Sequence, residues 1–351
     1  MKYLLLAAVA ASLVAPAYAE DPVPAPSPGE IAAAAPASDW IAIPASDLLV
    51  MDLAPDAKGK PRRVVIQLIP APFSQGWIDN IRKLAAAHWW DGTSVNRVQD
   101  NYVVQWGDAT EKKPLPDGLA TVPESDYVTN SEAIGEAYEA RRASKRSGRP
   151  APEEEVAAVN AQNRAAQASI DGTRTRVAPG GWHERDSYAP WVEIFDGWPV
   201  AAEPLGEDRL RYWPVHCYGA VGVGRNMSPD TGSGAELYTV IGEAPRHLDR
   251  NIALVGRVIS GMEHLTSLPR GTGALGFYED EAQRTPILSV RLGNELPAAQ
   301  QPKYEILSTS SVSFHRYVDA RANRRDPFFI KPAGGVNICN IPVPIRPVAA
   351  K

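Results

Sequence analysis

The sequence predicts a mainly β protein whose core is a closed antiparallel barrel. Short β-rich runs recur along the chain, and residues with turn propensity separate them. The first two runs, residues 47–53 and 64–68, are joined by a segment with Pro55, Asp56 and Gly59, which favours a hairpin. Short antiparallel strands favour closure into a barrel over a parallel sheet, and 351 residues suffice for one large core or two small ones.

Residues 1–19 have the features of a secretory signal peptide. Lys2 precedes an apolar run, and Ala17 and Ala19 flank Tyr18 as in a cleavage site. A membrane anchor is the alternative, but the run is shorter than the ~20 residues of a span. We therefore predict a periplasmic protein with no membrane span after cleavage. Cleavage removes Lys2 and takes the formal net charge from −5 to −6, which argues against a nucleic-acid partner.

Residues 20–39 form a Pro/Ala-rich segment with few groups that could build a core. We predict a disordered or extended linker here. A proline-rich ligand for another domain is the alternative.

Residues 64–108 are the stretch around which we expect the rest of the fold to be arranged. Residues 64–69 are a β-branched run that predicts a buried strand. Residues 74–89 show helical periodicity, with Trp77, Ile81 and Leu84 on one apolar face and Ser74 as a predicted N-cap. Two β-rich runs follow, at residues 93–98 and 101–106.

The motifs in this stretch resemble the first half of a cyclophilin, a peptidyl-prolyl isomerase. They are Asn80-Ile81-Arg82 in the helix, the Asp-Gly turn at residues 91–92, Arg97-Val98, and the run VQWGD at residues 104–108. The family's later strands are matched in order by GAVGVG (219–224), GAELY (234–238) and VGRVISGM (255–262). The resemblance implies an eight-stranded cyclophilin-like barrel with flanking helices over residues 40–295, interrupted by an insertion at about 112–210.

The resemblance also implies a catalytic role for Arg97 and a substrate-backbone contact for Gln105. Rotation of an Xaa-Pro bond crosses a barrier of about 20 kcal/mol, and it requires no covalent intermediate, metal or cofactor. A fixed cation aimed at the prolyl nitrogen can stabilise the twisted amide. From sequence alone, the alternative for Arg97 is a surface arginine paired with Asp91, Asp100 or Asp108.

Further positions match the family's substrate groove, and several depart from its usual residues. Asn96 stands before Arg97 where the family has His, and Glu236 stands where it has Gln. These departures predict a weaker isomerase or a shifted peptide preference, and His247 at the usual Trp position predicts poor cyclosporin binding. The implied groove residues are Tyr102, Val103, Gly224, Arg225, Leu237, Tyr238, His247 and Leu248.

The insertion and the C-terminal extension lie outside the matched motifs. Residues 131–170 predict two helices broken near Pro150, and residues 177–214 predict an irregular Trp-rich segment packed on the barrel. We predict that the extension, residues 296–351, packs on the barrel and contains a helix at residues 311–325. A solvated surface is the simpler interpretation of the charged insertion, and a partner-binding or chaperone surface is the alternative.

Other motifs predict little chemistry. Cys217 and Cys339 permit one disulfide in an oxidising compartment, with two buried thiols as the alternative. Residues 271–276 match a dinucleotide fingerprint by letters, but no strand–turn–helix context surrounds them, so we predict a flexible loop. The histidines lack metal-ligand spacing, and we predict neither a metal nor a cofactor.

Two functions remain open from the sequence. The first is an exported prolyl isomerase whose partners are proline-containing peptides and unfolded or folding exported proteins. The second is a non-catalytic proline-peptide-binding or chaperone module that retains the barrel.

Overall fold

The computed structural model describes residues 24–146, 186–206 and 209–348. The predicted signal peptide and the second predicted helix of the insertion lie outside the described residues. No helix in the described ranges is long and apolar enough to cross a membrane. The helices are α1 (Pro28–Ala33), α2 (Gln75–Ala86), α3 (Ser131–Arg146), α4 (Glu263–Thr266) and α5 (Val312–Ala322).

The strands form a closed eight-stranded antiparallel barrel and two smaller sheets. In chain order they are β1 (Trp40–Ala42), β2 (Leu48–Leu53), β3 (Arg62–Leu68), β4 (Ser94–Val98), β5 (Val103–Gly107), β6 (Thr129–Asn130), β7 (Trp191–Phe195), β8 (Trp198–Pro204), β9 (Leu210–Pro214), β10 (Ala220–Val223), β11 (Leu237–Val240), β12 (Leu254–Ser260), β13 (Thr285–Leu292), β14 (Tyr304–Leu307) and β15 (Ile345–Pro347). The order around the barrel is β10-β11-β5-β4-β13-β2-β3-β12. The predicted mainly β fold with a closed barrel is confirmed.

The first hairpin shows why the barrel is buried on both sides. Strands β2 and β3 pair antiparallel, as predicted, and side chains alternate between the two faces of each strand. Leu49 and Met51 point into the main core, whereas Leu48 packs with Val65 and the partly buried Tyr304 on the outer face. The C-terminal extension therefore covers the outside of these strands.

Helix α2 closes one side of the barrel. The face that it packs there is the apolar face predicted from the sequence. Trp77, Ile81 and Leu84 are fully buried in the main core. Ser74 occupies the predicted N-cap position, but it does so in a left-handed conformation (φ 55°), and its side chain accepts no capping hydrogen bond.

The prediction of a disordered or extended linker is wrong for residues 28–39. Ser27 and Glu30 form a reciprocal capping box at the start of α1, with Pro28 in the first turn. The segment after α1 packs against α5, where Ala35 joins a buried cluster with Phe314. This tertiary contact stabilises a helix that is too short to persist alone.

The insertion is more regular than predicted. Helix α3 agrees with the first predicted helix, but the described part of the segment predicted to be irregular contains β7, β8 and β9, which join β6 in a four-stranded sheet. Asp196 and Gly197, both with positive φ, make the two-residue turn between β7 and β8. Trp198 packs into the main core, so this sheet is fixed to the barrel.

A disulfide joins Cys217 to Cys339, which are 122 positions apart in sequence. It links the segment before β10 to the C-terminal extension. Ile338, next to Cys339, is buried with Trp213 and Val215, so the insertion, the barrel and the extension meet at this point.

Candidate active site

A cleft of about 760 Å³ lies on the barrel beside β4, β5, β10 and β11. We call it the Arg97 cleft. The structure brings together eight of the ten positions expected to contact or act on substrate. These are Arg97, Tyr102, Val103, Gln105, Gly224, Arg225, Tyr238 and Leu248.

The β4–β5 hairpin positions the two polar groups expected to act on substrate. Arg97 pairs directly with Gln105, and a register shift between Val95 and Arg97 marks a bulge just before the arginine. Val95 and Val98 remain in the buried core. The bulge therefore lets Arg97 face the cleft while its apolar neighbours face inward.

The Arg97 guanidinium is held by neutral groups. Nε donates to the Leu275 carbonyl at 2.8 Å, Nη1 donates to Gln105 Oε1 at 3.1 Å, and Nη2 donates to the Gln99 side-chain oxygen. The aromatic rings of Tyr102 and Phe277 lie 5.6 and 5.3 Å from the guanidinium carbon. Burial lowers the pKa of Arg97, and no carboxylate in the described ranges forms an ion pair with it.

The alternative of a salt-bridged surface arginine is wrong. Asp91 pairs with Arg291, and Asp100 pairs with Arg270. Asp108 accepts hydrogen bonds from the backbone N–H groups of residues 110, 112 and 113. All three nearby acids are thus engaged elsewhere, which leaves the positive charge of Arg97 facing the cleft.

Tyr238 forms the floor of the cleft and is held from behind by a buried chain of polar groups. Its hydroxyl lies 3.0 Å from His216 Nε2, and His216 Nδ1 lies 3.0 Å from Asp249 Oδ1. Asp249 also accepts from Arg246 Nε at 2.5 Å, and Arg246 binds both carboxylate oxygens of Asp186 in the insertion. We call these five residues the Tyr238 relay.

The charges of the Tyr238 relay indicate which way its hydrogens point. Burial alone would raise the pKa of Asp249, but the donors on His216 and Arg246 lower it below its usual value. An ionised Asp249 requires a proton on His216 Nδ1. In the tautomer with that proton on Nδ1, Nε2 accepts the hydrogen that the Tyr238 hydroxyl donates. Burial raises the pKa of Tyr238 well above its ordinary value, which keeps that hydrogen in place.

The sequence model of the family described as "Cyclophilin type peptidyl-prolyl cis-trans isomerase/CLD" matches residues 63–291, more than half of the chain. The chain belongs to this family of peptidyl-prolyl isomerases. The predicted family and enzyme class are therefore confirmed. No match was found among curated proteins.

One solved cyclophilin structure shares the fold, and a second is similar over much of the chain at a lower score. The crystal structure of cyclophilin AquaCyp293 from Hirschia baltica is 19% identical, with a TM-score of 0.58, over 89% of this chain and 94% of that one. A Cryptosporidium parvum cyclophilin type isomerase, solved in the presence of the dipeptide Ala-Pro, is 9% identical with a TM-score of 0.33, over 69% of this chain and 98% of that one.

Two of the expected groove positions of this cyclophilin do not line the cleft. Leu237 is buried in the main core opposite Trp106, because side chains alternate along β11 and Tyr238 takes the cleft side. His247 lies beside the cleft, where its ring stacks on Tyr102 with centroids 6.1 Å apart. The short helical turn that contains it buries Arg246, so the histidine is displaced from the wall.

The loop at residues 271–278 supplies cleft residues that the sequence did not indicate. Leu275 and Phe277 line the cleft, and Phe277 forms a β-bridge with Arg97 itself. Gly276 permits the close approach: its φ is 81°, and a Cβ there would lie 2.8 Å from the Gln99 Cα. The loop is packed against the cleft rather than arranged as a dinucleotide site.

Glu236 is the departure with the clearest electrostatic consequence. Its Oε2 lies 3.4 Å from both Gln105 Nε2 and Asn96 Nδ2. Burial raises its pKa, although these two donors oppose the shift. In this cyclophilin the acid Glu236 is therefore linked to Arg97 through the side chain of Gln105, which lies between the two.

Proposed function

We propose that the Arg97 cleft catalyses rotation about Xaa-Pro bonds by non-covalent stabilisation of the twisted amide. As conjugation is lost, the prolyl nitrogen regains a lone pair that a positioned N–H can meet. A fixed arginine stabilises this state more than either planar isomer, which is what lowers the barrier.

The observation that carries the proposal is the hydrogen bonding and the unneutralised charge of the Arg97 guanidinium. Three of its five N–H groups donate to neutral protein acceptors, so two remain without a recorded acceptor in the described ranges. The guanidinium is held rigidly, yet its charge is not neutralised. Such preorganisation supports electrostatic catalysis without a cofactor.

The rest of the cleft supplies a place for the proline ring. Tyr102, Val103 and Leu248 provide apolar surface, and the buried ring of Tyr238 closes the floor. The side-chain oxygen of Gln105 accepts a hydrogen bond from Arg97, and its amide nitrogen contacts Glu236. We therefore assign Gln105 a positioning role toward Arg97, in addition to the predicted contact with the substrate backbone.

We further propose that the clients are exported proteins. The signal-like residues 1–19 support export to the periplasm. The Cys217–Cys339 disulfide supports an oxidising compartment. Proline-containing segments of unfolded or folding envelope proteins would meet the enzyme there.

Two-dimensional NMR exchange spectroscopy on a short Ala-Pro-Phe peptide tests the mechanism. The mature protein should accelerate cis–trans exchange, and Arg97→Ala should lose most of that acceleration. Arg97→Lys should retain part of it, because it keeps the charge but lacks the planar fork. Arg63→Ala is the matched control, since Arg63 lies on β3 and pairs with Asp52 away from the cleft.

Acceleration retained in Arg97→Ala would show that the catalytic group lies elsewhere. Peptide signals that broaden without any exchange acceleration by the unmutated protein would favour the non-catalytic binding module. Loss of activity in the Arg63 control as well would point to a general defect in folding rather than to the guanidinium of Arg97.

A further inference from the structure

A second cavity, of about 420 Å³, lies on the outer side of the barrel. It is enclosed by β12, the start of β8 and residues 338–345 of the C-terminal extension, and we call it the Arg257 cavity. Its wall is mainly apolar and includes Val215, Val258, Val343 and Ile345. It shares no lining residue with the Arg97 cleft, and its volume lies in the range of small-ligand sites, about 300–1,000 Å³.

One cation lines this apolar space. The Arg257 guanidinium lies over the Trp198 ring at 4.2 Å. Its Nε and Nη2 both donate to Gln67 Oε1, at 3.0 and 2.7 Å, and its Nη1 donates to the Gly197 carbonyl at 2.7 Å. These bonds use three of five N–H groups, so two have no recorded acceptor in the described ranges.

In the described ranges, the charge of Arg257 also lacks a neutralising carboxylate. Its three acceptor contacts go to an amide oxygen and a carbonyl, and no described carboxylate lies within ion-pair distance. Glu263 lines the same cavity but does not pair with it. Burial lowers the pKa of Arg257 to about 9, with no opposing contribution. A cation partly withdrawn from water without an anion is destabilised, and a bound anion would relieve that cost.

The walls of the cavity are fixed relative to one another. Cys217 and Cys339 both line it, and their disulfide ties the extension to the segment before β10. Gln67 on β3 and Gly197 in the β7–β8 turn hold the guanidinium between the barrel and the insertion sheet. The arrangement is therefore preformed, which reduces the ordering cost of binding.

We propose that the Arg257 cavity binds a small amphipathic anion: an aliphatic group bearing one carboxylate. The carboxylate accepts hydrogen bonds from the two remaining N–H groups of Arg257, and the aliphatic part lies along the wall of valine and isoleucine side chains. A free medium-chain carboxylic acid and the C-terminus of an apolar peptide share this chemistry. The site is separate from the isomerase cleft and does not depend on the mechanism proposed there.

Isothermal titration calorimetry on the full mature protein tests the proposal with octanoate and its uncharged analogue octanamide. Octanoate should bind at least tenfold more tightly than octanamide. In Arg257→Met, which keeps the apolar stem, this ratio should fall to about one. Arg63→Met is the matched control and should keep the full preference. Prolyl isomerase activity should be unchanged in both variants.

A measurement on the unmutated protein keeps the test decisive if Arg257→Met fails to fold. The side-chain Nε–H NMR signal of Arg257 should shift on titration with octanoate and stay in place with octanamide. Absence of octanoate binding at millimolar concentration, equal binding of the two probes, or an unmoved Arg257 signal would each overturn the proposal.

A second pair of probes identifies the source of the carboxylate. Acetyl-Leu-Leu with a free C-terminus is compared with its C-terminal amide in the same titration. Selective binding of the free dipeptide supports the proposal with a peptide C-terminus as the source. Binding of octanoate alone supports it with a free carboxylic acid as the source.

Discussion

Replacement of His216 by Phe should loosen the floor of the Arg97 cleft. His216 is 1% exposed, and its ring connects the Tyr238 hydroxyl to Asp249. Phe has a similar flat shape but offers neither the acceptor for Tyr238 nor the donor for Asp249. Asp249 keeps its bond from Arg246 and the bond from the backbone N–H of residue 216. The hydroxyl of Tyr238 is therefore the group that loses its only hydrogen-bond partner among the described residues.

The expected magnitude follows from the number of polar groups left without a partner. Each such buried group costs about 1–3 kcal/mol. Tyr238→Phe leaves one buried group without a partner, Nε2 of His216. His216→Phe also leaves one, the Tyr238 hydroxyl, and in addition it weakens the contacts of Asp249. His216→Phe should therefore be the more destabilising single change. The double variant has neither the hydroxyl nor Nε2, so the pair should show a coupling energy of about 1–2 kcal/mol.

Urea unfolding of the four proteins, with the disulfide intact, measures this coupling. Isomerase kcat/KM should follow the same pattern, with the largest loss in His216→Phe and partial recovery in the double variant. Single-variant losses that add to within about 0.5 kcal/mol would refute the reasoning, since the two groups would then act independently. Unchanged kcat/KM in His216→Phe would show that the relay does not fix the floor.

Three other predictions concern the stability of the fold. Conversion of Cys217 and Cys339 to Ser should lower the unfolding free energy by up to about 5 kcal/mol in urea titrations, because the bridge spans 122 positions. Because burial raises the pKa of Glu236, the folded state binds its proton more tightly than the unfolded state does. The unfolding free energy should therefore fall as pH rises from the ordinary glutamate value through the raised one, and Glu236→Gln should remove that component from the measured stability–pH curve. Asn80→Ala should cost about 2 kcal/mol in thermal unfolding, because Asn80 makes two 2.8 Å hydrogen bonds to the backbone of Ala120.

The sequence alone was sufficient where the information is local. The β2–β3 hairpin, the apolar face of α2 and the α5 helix follow from turn residues and periodicity within a few positions. The same is true of part of the candidate site. Arg97, Tyr102, Val103 and Gln105 lie on one hairpin, so a short family-like motif already places them together.

Local signals were also present for two elements that the sequence analysis missed. The Ser27–Glu30 capping box marks the start of α1, and the Asp196-Gly197 turn marks the β7–β8 hairpin. In both cases a Pro-, Ala- or Trp-rich composition suggested irregular structure. Composition describes what a segment can bury, whereas a cap or a turn specifies how its backbone runs.

The tertiary structure decided the groups that complete each site from a distance. Leu275 reaches Arg97 across 178 positions, and the Cys217–Cys339 bridge spans 122. The contact between Arg257 and Gln67 spans 190. No periodicity or turn signal encodes such pairs, because closure of the barrel and docking of the insertion and extension bring them together. Whether a partly buried charge such as Arg97 or Arg257 meets an acid or remains uncompensated is set by that packing, and the charge pattern along the chain does not specify it.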